Sequence, residues 1–365
     1  MSEKWTKEQA WEWYNSRPWI RGFNGYPSNC VNRIEMWQKL HHKEVFEQIE
    51  KEFELAKETK LNAVRAIIQF EVWYYEHDTF MEYLEEYLTL ADKYGIGVML
   101  VLGNDCCPPK EFYAIKLGEQ TVDWGWHSGV CKGPHASVYT EPGYMLLDEP
   151  EYEPLYYKMV DEIAEKYAKD PRIIVWNIWN EVGNSRRDDM SVPYMEKFFE
   201  IVRSHDPIQP LTADAYTFDD HGMPTKHAMI RALELSDVVS FHCYKKFTTM
   251  VKVIDYLKET YERPLINTEW LNRIEHNDVD DCIPLFYLEK VGSFHWGLIQ
   301  GFSQTYEPWG RYLPMIKDPN YQGDFDFTLL QHDLYRFNGL PYIAREIEII
   351  KEFAQLADDK FYGKK

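Results

Sequence analysis

Two glutamate residues of this sequence each stand at the end of an apolar run. Glu181 ends residues 173–181, and Glu269 lies one position before the end of residues 264–270. Runs that are apolar throughout are typical of parallel strands buried on both faces. Two carboxyl groups brought together at the ends of such strands can supply a general acid and a nucleophile to one reacting bond. The alternative interpretation is two edge carboxylates in ordinary salt bridges.

Eight such apolar runs alternate with amphipathic helical patterns along the chain. This alternation is typical of βαβ units with a parallel sheet, and eight strand–helix pairs are the number found in a (β/α)8 barrel. We therefore predict an α/β fold made of a single (β/α)8 TIM barrel. The predicted strands cover residues 19–24, 61–68, 96–102, 173–181, 211–215, 237–244, 264–270 and 294–300.

The length of the chain fits one elaborated barrel. The sequence has 365 residues, and a barrel of this type needs roughly 250. Long insertions at residues 103–150 and 301–340 follow predicted strands three and eight. They belong to the C-terminal face of the barrel, where barrel sites are built. Residues 1–365 are thus predicted to form one domain with two long loops over its mouth.

The two glutamates are predicted to face each other across that mouth, because strands four and seven lie on opposite sides of an eight-stranded barrel. With this pattern the sequence resembles the clan A retaining glycoside hydrolases, which carry Asn-Glu at the end of strand four and a second Glu at the end of strand seven. Within the clan it is similar to glycoside hydrolase family 5, in particular to sequences described as cellulase or 1,4-β-xylanase. The resemblance includes residues 18–24, 27–28, 35–38, 294–297, 304–306 and 308–309.

The resemblance implies that Glu181 is the general acid/base and that Glu269 is the nucleophile. Two carboxyl groups roughly 5–5.5 Å apart allow a double displacement, in which a glycosyl-enzyme forms and is hydrolysed with retention of configuration. The implied substrates are β-linked, plant-type oligo- or polysaccharides, as for xylanases and cellulases, and the implied chemistry needs no cofactor. An exo-acting α-L-arabinofuranosidase or β-D-galactofuranosidase on the same scaffold is an alternative.

The resemblance also implies roles for residues around the pair. Arg65 matches an arginine near the nucleophile, where a buried cation lowers the pKa of Glu269. The resemblance further implies that Tyr244 donates a hydrogen bond to the nucleophile and that Asn180 binds the 2-hydroxyl of the reacting sugar. His242 is implied to make a second contact to this sugar, and Trp296 to form an aromatic platform beneath it. For His242, the alternative is a core histidine whose hydrogen bonds are satisfied within the protein.

The sequence departs from the family pattern near strand three. A histidine that many members carry there is replaced by Asn104 and Asp105, and we expect Asp105 to contact the reacting sugar instead. In the two insertions we expect Trp126, His127 and Trp309 to form walls for the substrate. A metal site formed by His127, Cys131 and His135 is disfavoured, and no metal is predicted. The residues that argue against this site, because they indicate an irregular loop, are Gly129, Gly133 and Pro134.

Composition and charge argue against two classes of binding partner. The net charge of −20 repels nucleic-acid phosphates and anionic lipid headgroups, so we predict no nucleic-acid and no membrane partner. The 58 aromatic residues, 13 Trp, 26 Tyr and 19 Phe, are mostly core, although some are expected to line a carbohydrate cleft. Six cysteines without zinc or disulfide spacing, and no signal-like start, favour a cytoplasmic location; removal of a signal peptide would instead mean a periplasmic or secreted protein.

Two functions of other kinds compete with the glycosidase prediction. A carbohydrate-binding pseudoenzyme would keep the cleft without turnover, and the presence of both glutamates together with Arg65, Asn180 and Tyr244 argues against it. A metal-dependent barrel hydrolase would need a cluster of His and Asp ligands at the strand ends, which the sequence does not show. The sugar, its linkage, internal or terminal cleavage and the oligomeric state are left open.

Overall fold

The computed structural model describes residues 3–122, 127 and 140–363. Eight parallel strands form one sheet in the order β5-β4-β3-β2-β1-β8-β7-β6. A parallel bridge between Ala215 and Phe241 joins the two outermost strands, so that the sheet is a nearly closed barrel. The predicted (β/α)8 fold is confirmed. The strands are β1 (Arg21–Asn24), β2 (Ala63–Ile67), β3 (Gly97–Asn104), β4 (Ile173–Asn180), β5 (Leu211–Ala213), β6 (Val239–His242), β7 (Leu265–Trp270) and β8 (Gly292–His295).

Helices occupy the outside of the barrel between these strands. Long helices run between consecutive strands, and short ones are inserted in the loops. They are α1 (Lys7–Asn15), α2 (Arg33–Trp37), α3 (His42–Glu58), α4 (Phe70–Tyr75), α5 (His77–Lys93), α6 (Glu153–Tyr167), α7 (Val192–Ser204), α8 (His227–Leu235), α9 (Phe247–Tyr261), α10 (Val279–Glu289), α11 (Leu313–Ile316) and α12 (Ala344–Tyr362). None of the helices in the described ranges is long and apolar enough to cross a membrane.

Strand β8 differs most from its prediction. The predicted run 294–300 begins two residues late and extends five residues too far, because β8 ends at His295. Gly297 then takes a φ of 71°, which turns the chain out of the sheet. Ile299 pairs instead with Tyr335 in an isolated bridge. The apolar residues after β8 are therefore buried as part of a loop and not as a strand.

The N-terminal end of the barrel is closed by α1. Thr6 caps this helix, since its hydroxyl accepts from the Gln9 amide at 3.2 Å and its own amide donates to the Gln9 side chain at 2.8 Å. Trp13 and Tyr14 of α1 pack in one cluster with barrel residues that include Phe294. Each large apolar side chain buried in this way contributes about 1.5–3 kcal/mol. With this end sealed, only the C-terminal end is left for a binding site.

A buried ion-pair network fixes the loops that follow β3 and β4. Arg187 is fully buried, and its Nε lies 3.2 Å from Asp105 Oδ1, while its Nη2 lies 2.7 Å from Asp148 Oδ1. Asp105 also accepts hydrogen bonds from the Gly183 amide and the Ser191 hydroxyl. All described polar contacts of Asp105 are thus structural, and the structure does not place this side chain against the substrate cavity as expected.

Removing Arg187 is expected to destabilise the protein strongly. In an Arg187→Met variant the buried carboxylate of Asp105 and the partly buried one of Asp148 lose their cation, and breaking a buried pair from one side costs about 3–5 kcal/mol. Urea denaturation of the wild type and the variant measures this loss. Arg345→Met is the matched control because the Arg345 side chain is 71% exposed in its pair with Asp280. Equal midpoints for the two variants would contradict a stabilising role for the network.

Candidate active site

A cavity of about 640 Å³ opens at the C-terminal end of the barrel. Its volume lies within the range of small-ligand pockets. Side chains from the ends of β4, β6 and β7 form its floor, and residues of the long loops after β3 and β8 form its walls. The lining includes Asn180, Glu181, His242, Tyr244, Glu269, Trp296, His127 and Trp309.

Glu181 and Glu269 lie close together in this cavity. Glu181 directly follows β4 with a φ of 49°, a left-handed conformation uncommon for a residue other than glycine. Glu269 belongs to β7 and is 5% exposed. One oxygen of each carboxyl group and one nitrogen of His242 all lie within 4.8 Å of one another. Carboxyl groups at such short range match the spacing of a retaining pair, not the wider spacing that leaves room for a water.

Both oxygens of Glu269 accept hydrogen bonds. Arg65 Nη1 donates to Oε1 at 2.8 Å, and the Tyr244 hydroxyl donates to Oε2 at 2.8 Å. Burial raises the pKa of Tyr244 well above its usual range, and the charge of Glu269 raises it further. Tyr244 therefore keeps its proton and acts as a donor. Two donors aim the carboxylate of Glu269 and stabilise its ionised form.

Glu181 has a different set of neighbours. His242 Nδ1 donates to Oε1 at 2.8 Å, and the Cys106 thiol donates to Oε2 at 3.0 Å. The side-chain amide of Asn184 also donates to Oε2. Both oxygens of this second carboxyl group are thus oriented by neighbouring side chains.

Arg65 connects the two sides of the site. It is 1% exposed, and its Nη2 donates to Asp214 Oδ2 at 2.8 Å and to Asn180 Oδ1 at 2.5 Å. Asp214 is fully buried just beyond β5 and also accepts from Ser240 and Thr268. Such a completely bonded guanidinium cannot move without breaking several charged hydrogen bonds, so Arg65 fixes the position of Glu269.

The direction of the pKa shifts differs from the expectation for Glu269. Burial raises the pKa of Glu269, and His242 and Arg65 oppose this rise without cancelling it. Burial also acts to raise the pKa of Glu181, but the hydrogen bond and the charge of His242 outweigh it and lower that pKa overall. A second cation, His242, thus opposes the rise at Glu269 more strongly than the expected cation Arg65 does, and it also lowers the pKa of Glu181.

The comparisons with known proteins agree with this geometry. Residues 23–287 match the family model described as Cellulase (glycosyl hydrolase family 5). The chain belongs to glycosyl hydrolase family 5. This family 5 enzyme is therefore a glycoside hydrolase on a clan A barrel, and its clan works with retention of configuration. No curated protein matches the sequence.

Solved structures share the fold of this family 5 enzyme at low sequence identity. The endo-β-1,4-mannanase of Thermotoga petrophila has a TM-score of 0.55 and 14% identity, over 95% of this chain and 78% of that one. A family 5 mannosidase of Rhizomucor miehei has a TM-score of 0.56 and 12% identity, over 96% and 95%. GH5_18 of Streptomyces cattleya, in complex with GlcNAc, has a TM-score of 0.60 and 11% identity, over 93% and 80%.

The loops after β3 and β8 of the family 5 enzyme meet over the cavity. His127 Nε2 lies 2.8 Å from the carbonyl oxygen of Glu307, and the ring of His127 packs 5.9 Å from that of Trp309. Trp309 in turn packs edge-on against Tyr244 at 4.9 Å. Of the three predicted walls, His127 and Trp309 line the cavity, and so does Trp296, the predicted platform. Trp126 lies outside the described residues.

Several residues of the site were not anticipated from the sequence. Asp214 ends an apolar strand as its single acidic residue, and this pattern was a usable signal. Cys106, and not its neighbour Asp105, lines the cavity, where its thiol donates to Glu181. Nothing in the sequence pattern around Cys106 distinguishes it from a core cysteine, because only the turn after β3 decides which of the neighbouring side chains faces the cavity.

Replacing His242 is expected to move the alkaline limit of activity to lower pH. Burial acts to lower the pKa of His242, but Glu269 and Asp214 raise it to about 10. In the wild type, the proton of the His242–Glu181 pair is thus retained far into the alkaline range. In His242→Gln only Glu181 can hold this proton, so the alkaline limb of kcat/KM should fall by about one pH unit or more.

A pH–rate profile of the wild type and His242→Gln tests this expectation. His205→Gln is the matched control because His205 pairs with Asp161 on the outside of the barrel, and its profile should equal that of the wild type. An unchanged alkaline limb in His242→Gln would show that His242 does not share the catalytic proton.

Proposed function

We propose that this family 5 enzyme is an exo-acting retaining β-glycosidase in which Glu269 is the nucleophile and Glu181 the general acid/base. The observation that carries the proposal is the short distance between two differently supported carboxyl groups. Arg65 and Tyr244 donate to Glu269 and favour a charged, aimed carboxylate. Glu181 contacts Cys106, and it lies closer to His242 Nδ1 (2.8 Å) than Glu269 does (3.3 Å), so that these two neighbours can return or hold its proton.

In the first step of the proposed reaction, Glu269 attacks the anomeric carbon and the bond to the leaving oxygen breaks. Glu181 gives its proton to that oxygen, and a covalent glycosyl-enzyme results. His242 lies 2.8 Å from Glu181 and can supply the proton that Glu181 delivers. In the second step Glu181 takes a proton from water, whose oxygen displaces Glu269 from the anomeric carbon; each step inverts this carbon, so the two steps together retain its configuration. Asn180, held by Arg65, would bind the 2-hydroxyl of the reacting sugar.

The contact between the two long loops supports action on chain ends. The bond from His127 to the Glu307 carbonyl brings the loop after β3 against the loop after β8. An open groove for internal cleavage needs a free passage on both sides of the reacting sugar. A cavity of about 640 Å³ narrowed by these loops favours a terminal sugar with a short aglycone.

The proposed substrates are β-linked, plant-type oligosaccharides. The family description supports β-glucosidic substrates and the resemblance to 1,4-β-xylanases supports xylosides. The neighbouring mannanase and mannosidase structures add β-mannosides to this range. Furanosides remain the second set of substrates to be tested. We further propose that turnover needs no cofactor or metal and that the protein is cytoplasmic; Cys30, Cys106, Cys243 and Cys282 are thiols outside any disulfide, which supports a reducing compartment.

Release of nitrophenol from a panel of nitrophenyl glycosides tests the proposal. The panel contains the β-glucoside, β-xyloside, β-mannoside and β-galactoside together with an α-L-arabinofuranoside and a β-D-galactofuranoside. Hydrolysis of one glycoside by the wild type but not by Glu269→Ala supports terminal cleavage and identifies the sugar. Hydrolysis of xylan, glucan or mannan oligomers only, at internal bonds, would contradict exo action. Sugar binding with no hydrolysis of any substrate would favour a pseudoenzyme.

A further inference from the structure

The cavity contains an arginine that has no acidic partner. Arg33 lines the cavity and is 6% exposed. Its Nε donates to the Gln69 side chain at 3.0 Å. Among the described residues no carboxylate oxygen lies within 4.0 Å of its nitrogens, and its other side-chain hydrogen bond is to the hydroxyl of Tyr26, which carries no charge. A charge buried in this way is costly unless something pairs with it.

The position of Arg33 is fixed by the chain around it. It is the first residue of α2, whose cap is Asn32: the Asn32 side-chain oxygen accepts from the amides of Ile34 at 3.0 Å and Glu35 at 3.2 Å. The Glu35 carboxylate accepts from the amide of Val31 at 2.6 Å on the other side of the cap. Both ends of this turn are thus tied down, and Arg33 is presented to the cavity on rigid backbone.

Arg33 lies next to Tyr26, whose ring packs against Trp296 of the cavity. Burial raises the pKa of the Tyr26 hydroxyl, and the positive charge of Arg33 beside it opposes that rise. The ring of Tyr26 packs 5.3 Å from the ring of Trp296. A sugar lying on Trp296 therefore has its edge within reach of the Arg33 side of the cavity.

The charge of the cavity wall is opposite to that of the protein. The whole chain carries −20, whereas the described residues that line the cavity include five Lys or Arg side chains and two carboxyl groups, Glu181 and Glu269. Lys245 and Arg311 both pair with the single carboxylate of Glu275, at 2.8 and 2.6 Å, so this cluster keeps a surplus positive charge. A second, independent part of the wall thus also favours an anionic ligand.

We propose that the natural substrate carries an anionic group on the sugar bound over Trp296, and that Arg33 binds this group. A uronate carboxylate and a sulfate or phosphate ester share the required chemistry, because each offers two oxygens to the planar fork of a guanidinium. The proposal rests on the proposed function, since it names the class of substrate for the same cavity. Arg33 is then a specificity residue that touches the substrate away from the reacting bond.

Binding of free sugars tests this proposal without any need for turnover. Titration calorimetry compares D-glucose with D-glucuronate, D-galactose with D-galacturonate, and D-glucose with its 6-sulfate and 6-phosphate. The wild type should bind at least one anionic probe about 10-fold or more tighter than its neutral partner. The uronates separate the carboxylate source from the two esters.

Variants at Arg33 decide whether this residue is responsible. Arg33→Gln should lower the affinity for the preferred anionic probe by about 10- to 100-fold and leave the neutral sugar unchanged. Arg33→Lys should recover part of the affinity, because it keeps the charge without the fork. Arg345→Gln, on the exposed outer surface, is the matched control, and thermal unfolding of each variant confirms that it is folded.

Two results would overturn the proposal. One is a wild type in which no anionic probe binds better than its neutral partner, including a wild type that binds none of them. The other is an anionic preference that persists in a folded Arg33→Gln variant. Neither result affects the proposed glycosidase reaction, which is measured separately by nitrophenol release and by the Glu269→Ala variant.

Discussion

Glu269→Ala is expected to lower kcat by about 10⁵-fold, the order seen when the nucleophile of a covalent mechanism is removed. The variant lacks the carboxylate that attacks the anomeric carbon, and no other described side chain accepts hydrogen bonds from both Arg65 and Tyr244. Steady-state hydrolysis of the best nitrophenyl glycoside measures the loss. Because Arg65 stays bonded to Asp214, we expect the site to keep its shape and its sugar affinity.

Azide identifies the role of Glu269 independently of the rate. In Glu269→Ala the space left by the side chain admits a small anion on the face from which Glu269 would attack. Azide should then restore turnover of an activated glycoside and give a glycosyl azide of inverted configuration. Glu52→Gln is the control, because Glu52 is a buried glutamate of α3 that is not among the residues lining the cavity. Activity of Glu269→Ala within 10-fold of the wild type would contradict the assigned role.

The sequence pattern was sufficient to predict the barrel and the two glutamates. Parallel strands buried on both faces have continuous apolar sequences. The ends of β4 and β7 were therefore predictable as the points where Asn-Glu and Thr-Glu interrupt two of these apolar runs. The spacing of the runs placed the two carboxyl groups on opposite strands, and the structure brings their oxygens within 4.8 Å. The alternation of apolar runs with helical patterns, and the positions of the two glutamates at the ends of these runs, were thus sufficient to predict that the two carboxyl groups lie in one site.

Features that depend on a turn or on a balance of charges were not predictable in this way. Asp105 was expected at the substrate, but the turn after β3 directs it to Arg187 and directs Cys106 to Glu181. The pKa of Glu269 was expected to fall because of Arg65, whereas burial, which no sequence pattern measures, outweighs this cation. Arg33 was not singled out in the sequence, and its lack of an acidic partner among the described residues is evident only in three dimensions.

The proposed roles require the proton to be on Glu181 when the leaving oxygen departs. The cation of His242 lowers the pKa of Glu181 and has its own pKa raised to about 10. In the unliganded site the shared proton is therefore held mainly by His242, with Glu181 ionised. A sugar oxygen arriving next to Glu181 displaces water and disfavours that charge. Binding thus moves the proton toward the carboxyl group that must deliver it.

Glu181→Ala is expected to separate the two steps of the reaction according to the leaving group. For an alkyl aglycone that needs protonation, kcat/KM should fall by about 10²- to 10⁴-fold, the usual contribution of a general acid. For a dinitrophenyl glycoside, whose leaving group departs without a proton, kcat/KM should change little because Glu269 and its donors are intact. The glycosyl-enzyme should then accumulate, since no base activates water, and a burst of dinitrophenol should precede slow turnover.

Azide again distinguishes this role from that of Glu269. In Glu181→Ala it should enter on the face opposite to Glu269, react with the glycosyl-enzyme and give a glycosyl azide of retained configuration. Cys106→Ala is the matched control, because it removes one hydrogen bond to Glu181 and leaves the carboxyl group itself. An equal loss for alkyl and dinitrophenyl glycosides, without a burst and without azide rescue, would mean that Glu181 does more than transfer the proton. The same retained azide from Glu269→Ala would require the two roles to be exchanged.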